Sequence, residues 1–507
     1  MIGRQPPPGG RTSAPRGAMT SKSAAQAAPP MYFGWYIVAT CFFVAFLSIP
    51  GRQGFGLFVT EMEPTFGWNR ADISWVGSIG FLINGAMQPI MGALFDHYGP
   101  RKVFGFGLVV MGLAIMSLAF IMDLEFMVNL GFLKIPLDLL WFIGVFSIVV
   151  NTCLSAASIT NMLALVVRWF RRKRSKATAL AACGTSIGGL LTIPFAAYLM
   201  GVIDSSGIML GDVQLAGWRT VWFLLGMIVV FVAAPLAVFF LRPNPESMAL
   251  NPDGDPDPDG ARAGSAPAAR STGAYEVDSW RKCFKTPPMW QLSGAYVVCG
   301  ITTGLLSIHF IPYAEDVLPE TVNFLGGAWD EKVFAGLVFG IMTGLNAAGV
   351  IITGFLGDRL RRKNVLAVVY ATRGVAFMAL VFLPLMGYGM AGLIAFALLS
   401  GMSWVASVPL TSTLTADVYG FKALGTISGW VFFSHQIGSF ISIQLTGYAY
   451  LWFGNDYTWP FLIAGLTLIP ASIAAFSINE YRYSGRYNSQ SAGGPQLATA
   501  GAGPRAY

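Results

Sequence analysis

The sequence predicts an all-α membrane protein with twelve transmembrane helices in two pseudo-symmetric halves of six helices each. Three observations support this fold class. Of the 507 residues, 54% are hydrophobic and only 11% are charged, whereas soluble domains carry about 25% charged residues. The apolar residues form twelve runs of about 20 residues, the length that crosses a bilayer as a helix. A charged turn also occurs twice, once in each half.

The apolar runs are predicted to be helices because a bilayer admits only helices or closed barrels, in which all backbone polar groups bond internally. Each run is too long and too continuously apolar for a barrel strand. The runs lie near residues 34–58, 71–95, 103–122, 139–166, 177–201, 219–241, 290–313, 333–357, 365–387, 390–416, 424–450 and 458–478. They predict an N-terminal bundle at 33–242 and a C-terminal bundle at 289–480.

The remaining segments cannot build a core of their own. Residues 1–32 and 481–507 are predicted to be disordered cytosolic tails, and residues 243–288 a cytosolic linker rich in Pro, Asp, Gly and Ala. Near the end of the linker, aromatic and basic residues alternate in WRKCFK. That mixture predicts a short helix lying on the inner membrane surface.

Lys and Arg residues determine the predicted orientation. With the N-terminus inside, the external segments contain only Arg70, Lys134, Arg219 and Lys332, and the cytosolic segments contain most of the others. This asymmetry predicts that both termini lie in the cytoplasm. The protein is expected in the inner or plasma membrane of the cell. The same bias explains the net charge of +7, so nucleic acid is not an expected partner.

No catalytic or metal-binding pattern is found in the sequence. The five cysteines lack the paired spacing of a disulfide framework or a metal site. The string G-x-S-x-G at Gly184–Gly188 looks like a hydrolase elbow, but it lies inside an apolar run with no preceding strand and no triad. Its small residues suit close helix packing instead. We therefore expect no enzymatic activity, no metal and no cofactor.

The repeated charged turn carries the first resemblance to a known family. GALFDHYGPRKV (92–103) and GFLGDRLRRKNV (354–365) resemble the loop between the second and third helices of each half in the major facilitator superfamily. The resemblance implies that Asp96 and Asp358 contact a neighbouring helix end and nearby cations, here Arg101 and Arg359, and hold the outward-open state until the halves rock. The competing interpretation is that these charges only enforce topology.

Other segments resemble the monocarboxylate transporter family and its bacterial oxalate/formate-type relatives. They are FGWYIVATCFF in the first run, WFRRKRSKATALAACGTSIGG at the fifth, HFIPYAED in the seventh and LTADVYGFKALGTISG between the tenth and eleventh. The resemblance implies a secondary transporter of small organic anions, working by proton-coupled symport or by anion exchange. One alternative is an efflux carrier of an amphipathic metabolite or drug. An alternative of another class is a non-transporting membrane receptor or scaffold.

Polar side chains within the apolar runs are the candidate site residues, because ionisable groups are costly in a membrane and usually functional. Arg52, late in the first helix, has the fork that suits a carboxylate. His309 is a candidate for contact with substrate or proton, and His435 for contact with a proton. The uncharged candidates for substrate binding are Asn151, Tyr313, Asn346 and Trp404. Arg168 and Asp417, at the cytosolic ends of the fourth and tenth helices, complete the predicted gating set.

One feature departs from what the resemblance implies. Animal monocarboxylate transporters carry an Asp and an Arg within the eighth helix, but residues 333–357 here contain no charged side chain. Their proton and carboxylate site is therefore missing from that helix.

Arg373 lies midway along the ninth helix, which stands at the rim of the bundle in this superfamily. We predict a structural role for it.

Overall fold

The computed structural model describes residues 31–48, 54–121, 126–129, 134–170, 173–203, 207–210, 213–215, 217–254, 275, 280–419 and 424–483, except for the side chains of Asp96 and Asp358 and a few others. Ten helical stretches in these residues are long and apolar enough to cross a membrane. The divided first segment and the helix Leu424–Trp452 complete twelve membrane-crossing segments, here called spans and numbered in chain order. The predicted fold class is confirmed.

The N-terminal half contains the first six spans. The first is divided into Gly34–Ser48 and Gly56–Phe66, with residues 49–53 between them outside the described part. The fourth contains a π-helical segment and then a break before its last helix. The bounds are Arg70–Tyr98 for the second, Pro100–Leu118 for the third, Leu137–Phe142, Ile143–Val150, Asn151–Ala156 and Ile159–Trp169 for the fourth, Arg174–Ile203 for the fifth, and Gly217–Ile228, Val229–Ala233 and Ala234–Phe240 for the sixth.

The C-terminal half contains the other six spans and one short terminal helix. The tenth span is broken into two helices at residues 404–406. The bounds are Pro287–Val317 for the seventh, Glu331–Arg359 for the eighth, Arg362–Leu385 for the ninth, Gly389–Ser403 and Ser407–Tyr419 for the tenth, Leu424–Trp452 for the eleventh, Thr458–Ser477 for the twelfth and Glu480–Tyr483 for the terminal helix. In the linker, 3-10 helices occupy Pro245–Met248, Pro252–Gly254 and Trp280–Lys285.

Three short antiparallel hairpins that the sequence did not predict connect spans on the predicted external side. They are β1–β2 (Met127–Asn129 with Lys134–Pro136), β3–β4 (Ile208–Leu210 with Val213–Leu215) and β5–β6 (Thr321–Phe324 with Gly327–Asp330). Their strands have only three or four residues each, too few for the alternation of apolar and polar residues to stand out.

Side-chain caps mark the helix starts at the same side of the bundle. Asn69 begins the second span with a capping box, in which its side chain accepts from the amide of Asp72 and the carboxylate of Asp72 accepts from the amide of Asn69. Asp330 begins the eighth span by accepting from the amides of Lys332 and Val333. These caps satisfy amides that have no partner within their own helix.

The small residues of the fifth span allow close helix packing, as predicted. A Cβ atom on Gly184 would lie 2.2 Å from the carbonyl oxygen of Phe42, and one on Gly188 would lie 2.6 Å from that of Phe46. Both glycines therefore face the first span. Their neighbour Gly189 faces Thr343 of the eighth span, in the other half. The fifth span is thus held between the first and the eighth by backbone approach.

The two halves meet along matched pairs of spans. The second span packs against the eleventh, the fifth against the eighth, and the second helix of the first span against the seventh. The third and sixth spans pack against each other in the N-terminal half, and the ninth and twelfth in the C-terminal half. This arrangement brings polar side chains of both halves together along one interface.

Candidate functional site at the interface between the halves

A chain of hydrogen bonds joins the two halves at the centre of the bundle. His435 Nδ1 lies 3.1 Å from Gln436 Oε1, Gln436 Nε2 donates to Asn84 Oδ1 at 3.0 Å, and Asn84 Nδ2 donates to Ser155 Oγ at 2.9 Å. All four side chains are buried. Because Gln436 Oε1 is an acceptor, His435 Nδ1 is the donor in their contact. Asn151 adjoins this chain, and its amide donates to the carbonyl of Phe146 at 2.9 Å.

Arg373 forms the polar hub of the C-terminal half. Its guanidinium donates to the carbonyl oxygens of Ser403 and Trp404, where the tenth span is broken. It also contacts Cys299 Sγ at 3.4 Å and Thr302 Oγ1 at 3.2 Å, both on the seventh span. Carbonyl groups at a helix C-terminus carry partial negative charge, so a cation stabilises the break. The predicted structural role therefore agrees with these contacts.

The charge on Arg373 is not balanced by a carboxylate. Among the described residues no acidic side chain lies within ion-pair distance of it, and its Nε atom has no hydrogen-bond partner. The side chain is 0% exposed and lies near the middle of the 24-residue ninth span. A buried charge keeps much of its field, because little water screens it. The interior of the C-terminal half therefore holds a buried positive charge with no carboxylate beside it among the described residues.

Two predicted substrate residues meet at the same break in the tenth span. Trp404 Nε1 donates to Thr303 Oγ1 at 3.0 Å, and Asn346 Oδ1 accepts from the amide of Val405 at 3.1 Å. Trp404 and Asn346 are buried, whereas Thr303 is partly exposed. The seventh, eighth and tenth spans thus contribute neighbouring groups to one place, beside Arg373.

His309 is part of the contact between the halves nearer the predicted external side. Its Nε2 lies 3.0 Å from the carbonyl oxygen of Ile443 and 3.3 Å from Ser74 Oγ, and its Nδ1 lies 3.0 Å from the hydroxyl of Tyr457. A carbonyl only accepts, so Nε2 carries the proton and Nδ1 accepts from Tyr457. Burial raises the pKa of Tyr457, which keeps this donor neutral. The contacts suit an uncharged imidazole.

An ion cluster closes the predicted external end of the interface. Arg70 donates to both carboxylate oxygens of Asp316 across the halves, at 2.7 and 3.1 Å, and to Glu63 at 3.2 Å. The guanidinium lies over the rings of Tyr450 (4.3 Å) and Tyr457 (5.2 Å). A second cross-half pair joins Lys332 to Glu61. A bidentate pair of this kind fixes geometry as well as adding energy.

The second and eleventh spans continue this closure toward the centre. Trp75 Nε1 donates to the hydroxyl of Tyr448 at 3.3 Å, and Ser78 Oγ donates to Gln444 Oε1 at 3.2 Å. The Gln436–Asn84 bond lies further along the same two helices. The cross-half hydrogen bonds between these spans therefore extend from the predicted external end to the middle. The structure is closed on that side.

Each charged turn contacts the fourth span of its own half, although the two contacts differ in kind. Arg168 places its guanidinium 5.0 Å from the ring of Phe95, at the end of the second span. Asp417, at the end of the tenth span, forms an ion pair with Arg362 at the start of the ninth. These contacts lie within a half. They are present in this structure, in which the predicted external side is closed. Because each contact joins two parts of the same half, rocking of the halves as rigid bodies would leave it intact.

The terminal helix Glu480–Tyr483 holds the second turn in place. The buried carboxylate of Glu480 accepts from the amides of Arg362 and Lys363, each at 3.3 Å, and so caps the N-terminus of the ninth span. Tyr481 accepts a bond from Arg361. The sequence prediction placed residues from 481 onward in a disordered tail, whereas the helix continues to Tyr483.

The remaining predicted residues lie in several separate places. Arg52 lies outside the described residues, as do the side chains of Asp96 and Asp358. Tyr313 is buried and donates to the carbonyl of Leu380 at 2.6 Å, so its hydroxyl is directed to the ninth span. Arg101 is exposed, and the guanidinium of Arg359 lies 3.9 Å from the centroid of the Phe355 ring. Their gating roles stay predictions.

Sequence reasoning missed the cross-half pairs. Asn84 and Gln436 are amides inside apolar runs, which was the available signal for them. Arg70, Asp316 and Lys332 lie at span ends. From the sequence alone, charges at such positions indicate only the orientation of the spans in the membrane. Their pairing depends on which helix ends meet in three dimensions.

Comparison with known proteins identifies the family. The model of the Major Facilitator Superfamily matches residues 41–443. The chain belongs to the major facilitator superfamily. It is therefore a multi-pass membrane transporter and not an enzyme.

Curated relatives match over most of their length at low identity. Monocarboxylate transporter 12-B of Danio rerio is 24% identical over 485 residues, covering 92% of this chain and 91% of its own. Monocarboxylate transporter 11 of Homo sapiens is 25% identical over 465 residues, covering 90% and 85%. The uncharacterised MFS-type transporter YcxA of Bacillus subtilis is 22% identical over 416 residues, covering 82% and 87%.

Solved structures confirm the fold of this transporter. A bacterial homologue of the human lysosomal transporter Spinster, in an inward-facing and unoccupied conformation, has a TM-score of 0.60 at 15% identity, covering 89% of this chain and 97% of its own. The xylose transporter XylE from E. coli, in a partially occluded inward-open conformation, has a TM-score of 0.60 at 11% identity, covering 88% and 100%.

Proposed function

We propose that this transporter carries small organic anions of the monocarboxylate type across the inner or plasma membrane, by proton-coupled symport or by anion exchange, with both termini in the cytoplasm. The observation that carries the proposal is Arg373, a buried guanidinium near mid-membrane that has no carboxylate within ion-pair distance among the described residues. The similarity to monocarboxylate transporters along most of the chain supports the same substrate class.

The uncompensated charge on Arg373 favours an anion over a neutral molecule of the same shape. A carboxylate held about 7 Å from a guanidinium gains about 2 kcal/mol at an effective dielectric constant of about 20. That gain corresponds to about a 30-fold preference for the charged form. Asn346, Thr303 and Trp404 stand beside the guanidinium and offer the polar and aromatic groups that orient a small acid.

Alternating access follows from the way in which the halves meet. The side with Arg70, Asp316 and Lys332 is closed, which is the inward-facing state when that side is external. In the proposed cycle the halves rock, the outer contacts separate, and the central site opens to the outside. Arg52, in the first span, is predicted to provide the second cation for the carboxylate. Asn151 stands on the N-terminal side of the central hydrogen-bond chain, next to Asn84.

His309 is the proposed link between protons and this cycle. In the closed state its contacts to Ile443 and Tyr457 suit the neutral imidazole, and the nearby Arg70, over the same Tyr457 ring, disfavours a second positive charge. Opening the outer side exposes the ring to water, where it can take a proton. Closure then requires the proton to leave His309. His435 is the alternative proton site, because its Nδ1 bond to Gln436 lies in the central chain.

Uptake by the purified protein in liposomes tests the proposal. A panel of monocarboxylates, dicarboxylates and aromatic acids is supplied with and without a pH gradient, and with unlabelled acid inside for exchange. We expect saturable movement of at least one monocarboxylate, and its loss in Arg52→Gln. Movement of neutral or cationic amphipaths alone would favour the efflux carrier. Movement of nothing under any gradient would favour the receptor or scaffold.

A further inference from the structure

The short helix Trp280–Lys285 presents cations on one side and a buried anchor on the other. Arg281, Lys282 and Lys285 are exposed, whereas Cys283 between them is fully buried. Burial raises the pKa of the Cys283 thiol, so this anchor is a neutral, apolar group. The three basic side chains are therefore held at the surface by a segment that is itself packed.

Aromatic contacts fix this helix to the eleventh span. The ring of Trp280 stacks on Trp430 with centroids 5.5 Å apart, and Phe284 meets the same ring edge-on at 5.5 Å. Trp290 Nε1 donates to the carbonyl of Phe284 at 2.8 Å. The hydroxyl of Thr286 bonds to that of Tyr419, at the end of the tenth span. The helix is thus joined to the seventh and eleventh spans, and Thr286, the residue that follows it, to the tenth.

Exposed aromatic rings lie beside the cations. Trp290 is 63% exposed and Trp430 is 38% exposed. Tryptophan is enriched at the level of lipid headgroups, because one part of its ring is apolar and the other polar. Clusters of Lys and Arg beside a membrane attract anionic lipids. A soluble phosphate would need the cations but not the exposed rings, so the combination favours a lipid.

We propose that Arg281, Lys282 and Lys285 form a binding site for the headgroup of an anionic phospholipid in the leaflet at this end of the bundle. The bound lipid stabilises the helix Trp280–Lys285 against Trp430. The eleventh span carries both Trp430 and Gln436, so the lipid acts on the helix that makes the central contact with Asn84. This site is separate from the proposed anion pathway and does not depend on the identity of the transported substrate.

Native mass spectrometry of the delipidated full-length protein tests the site. The protein is titrated with phosphatidylglycerol or with phosphatidylcholine of the same acyl chains. We expect at least about tenfold tighter binding of phosphatidylglycerol. The triple variant Arg281→Gln/Lys282→Gln/Lys285→Gln should lose this preference, since each cation near an anionic surface contributes about fivefold. Lys282→Arg/Lys285→Arg keeps the charges and should keep the preference.

A matched control removes three exposed cations at the same end of the bundle. Lys173→Gln/Lys176→Gln/Arg482→Gln changes the net charge equally but leaves the helix intact, and it should retain the preference. Hydrogen–deuterium exchange provides a second readout: phosphatidylglycerol should slow exchange in residues 280–286 and 424–436 of the wild type only. Equal affinity for the two lipids overturns the proposal. So does a preference that survives in the Gln triple variant, or one that the control loses to the same extent.

Discussion

Arg70→Met should open the side of the transporter that is closed in the structure. The Arg70 side chain is 7% exposed and makes four charge-assisted hydrogen bonds, two of them to Asp316 across the halves and two to Glu63. Hydrogen bonds to charged groups contribute about 1.5–3 kcal/mol each. Asp316 and Glu63 are partly exposed, so water replaces some of this energy. We expect a net loss of about 3 kcal/mol in the closed state, which shifts the equilibrium on the order of 100-fold.

A single reporter cysteine measures this shift. Ser78 is fully buried where the second and eleventh spans meet. Ser78→Cys is introduced after the five native cysteines have been replaced, and a membrane-impermeant thiol reagent is added from the side of Arg70. The modification rate follows the fraction of time for which that side is open. Arg70→Met should raise the rate on the order of 100-fold.

Arg219→Met is the matched control for this experiment. Arg219 lies at the same end of the bundle, but its guanidinium donates to the carbonyls of Ala119 and Ile121 within the N-terminal half. Its loss should leave the modification rate unchanged. Equal rates in wild type and Arg70→Met, or an equal increase in Arg219→Met, would refute the reasoning that cross-half ion pairs hold this side closed.

Four further predictions follow from individual contacts. Gly184→Leu places a side chain against the first span and should lower the apparent melting temperature by on the order of 5 °C, whereas Gly201→Leu, where nothing lies within 4 Å of a Cβ atom, should not. Gln436→Leu removes the cross-half bond and should raise the modification rate of the Ser78 reporter about tenfold; no increase would mean that the bond does not hold the halves. His309→Gln should flatten the pH dependence of transport between about pH 5 and 8, and an unchanged profile would exclude His309 as the proton site. Asp417→Asn breaks a contact within one half, so it should lower the melting temperature without changing reporter modification; a changed modification rate would show that the pair also acts between the halves.

Periodicity and composition were sufficient to predict the spans because membrane helices must satisfy their own backbone. Periodicity and composition did not predict the break in the tenth span at residues 404–406. Its local signal is Pro409, which cannot donate to the carbonyl of Val405 and lies in the first turn of the second helix, and Arg373 stabilises the break from another helix. Similarly, the cap that Glu480 places on the ninth span joins residues more than 100 positions apart. Contacts of this kind depend on tertiary arrangement and not on local pattern.

The sequence indicated which types of residue to consider for the candidate site, but not which of them lie together in the structure. The sequence singled out polar residues in apolar runs, and the structure distributes them among an outer closure at His309, a central chain near Asn151, and a hub beside Asn346 and Trp404. Arg373 was assigned to a rim helix and given a structural role. Its side chain is long enough to reach the seventh and tenth spans, so a residue on a peripheral helix sets the charge of the interior.

Counterflow of a monocarboxylic acid and of its methyl ester tests the central claim most directly. The two molecules have nearly the same shape and differ in charge, so the comparison isolates the effect of the buried positive charge on Arg373. Proteoliposomes are loaded with unlabelled acid, and entry of labelled acid is measured with unlabelled acid or ester outside as competitor. Entry of labelled ester is measured separately, and both are compared with protein-free vesicles. The account predicts protein-dependent, saturable entry of the acid and about 30-fold weaker competition by the ester. Equal competition by the two, or protein-dependent entry of the ester alone, would contradict it.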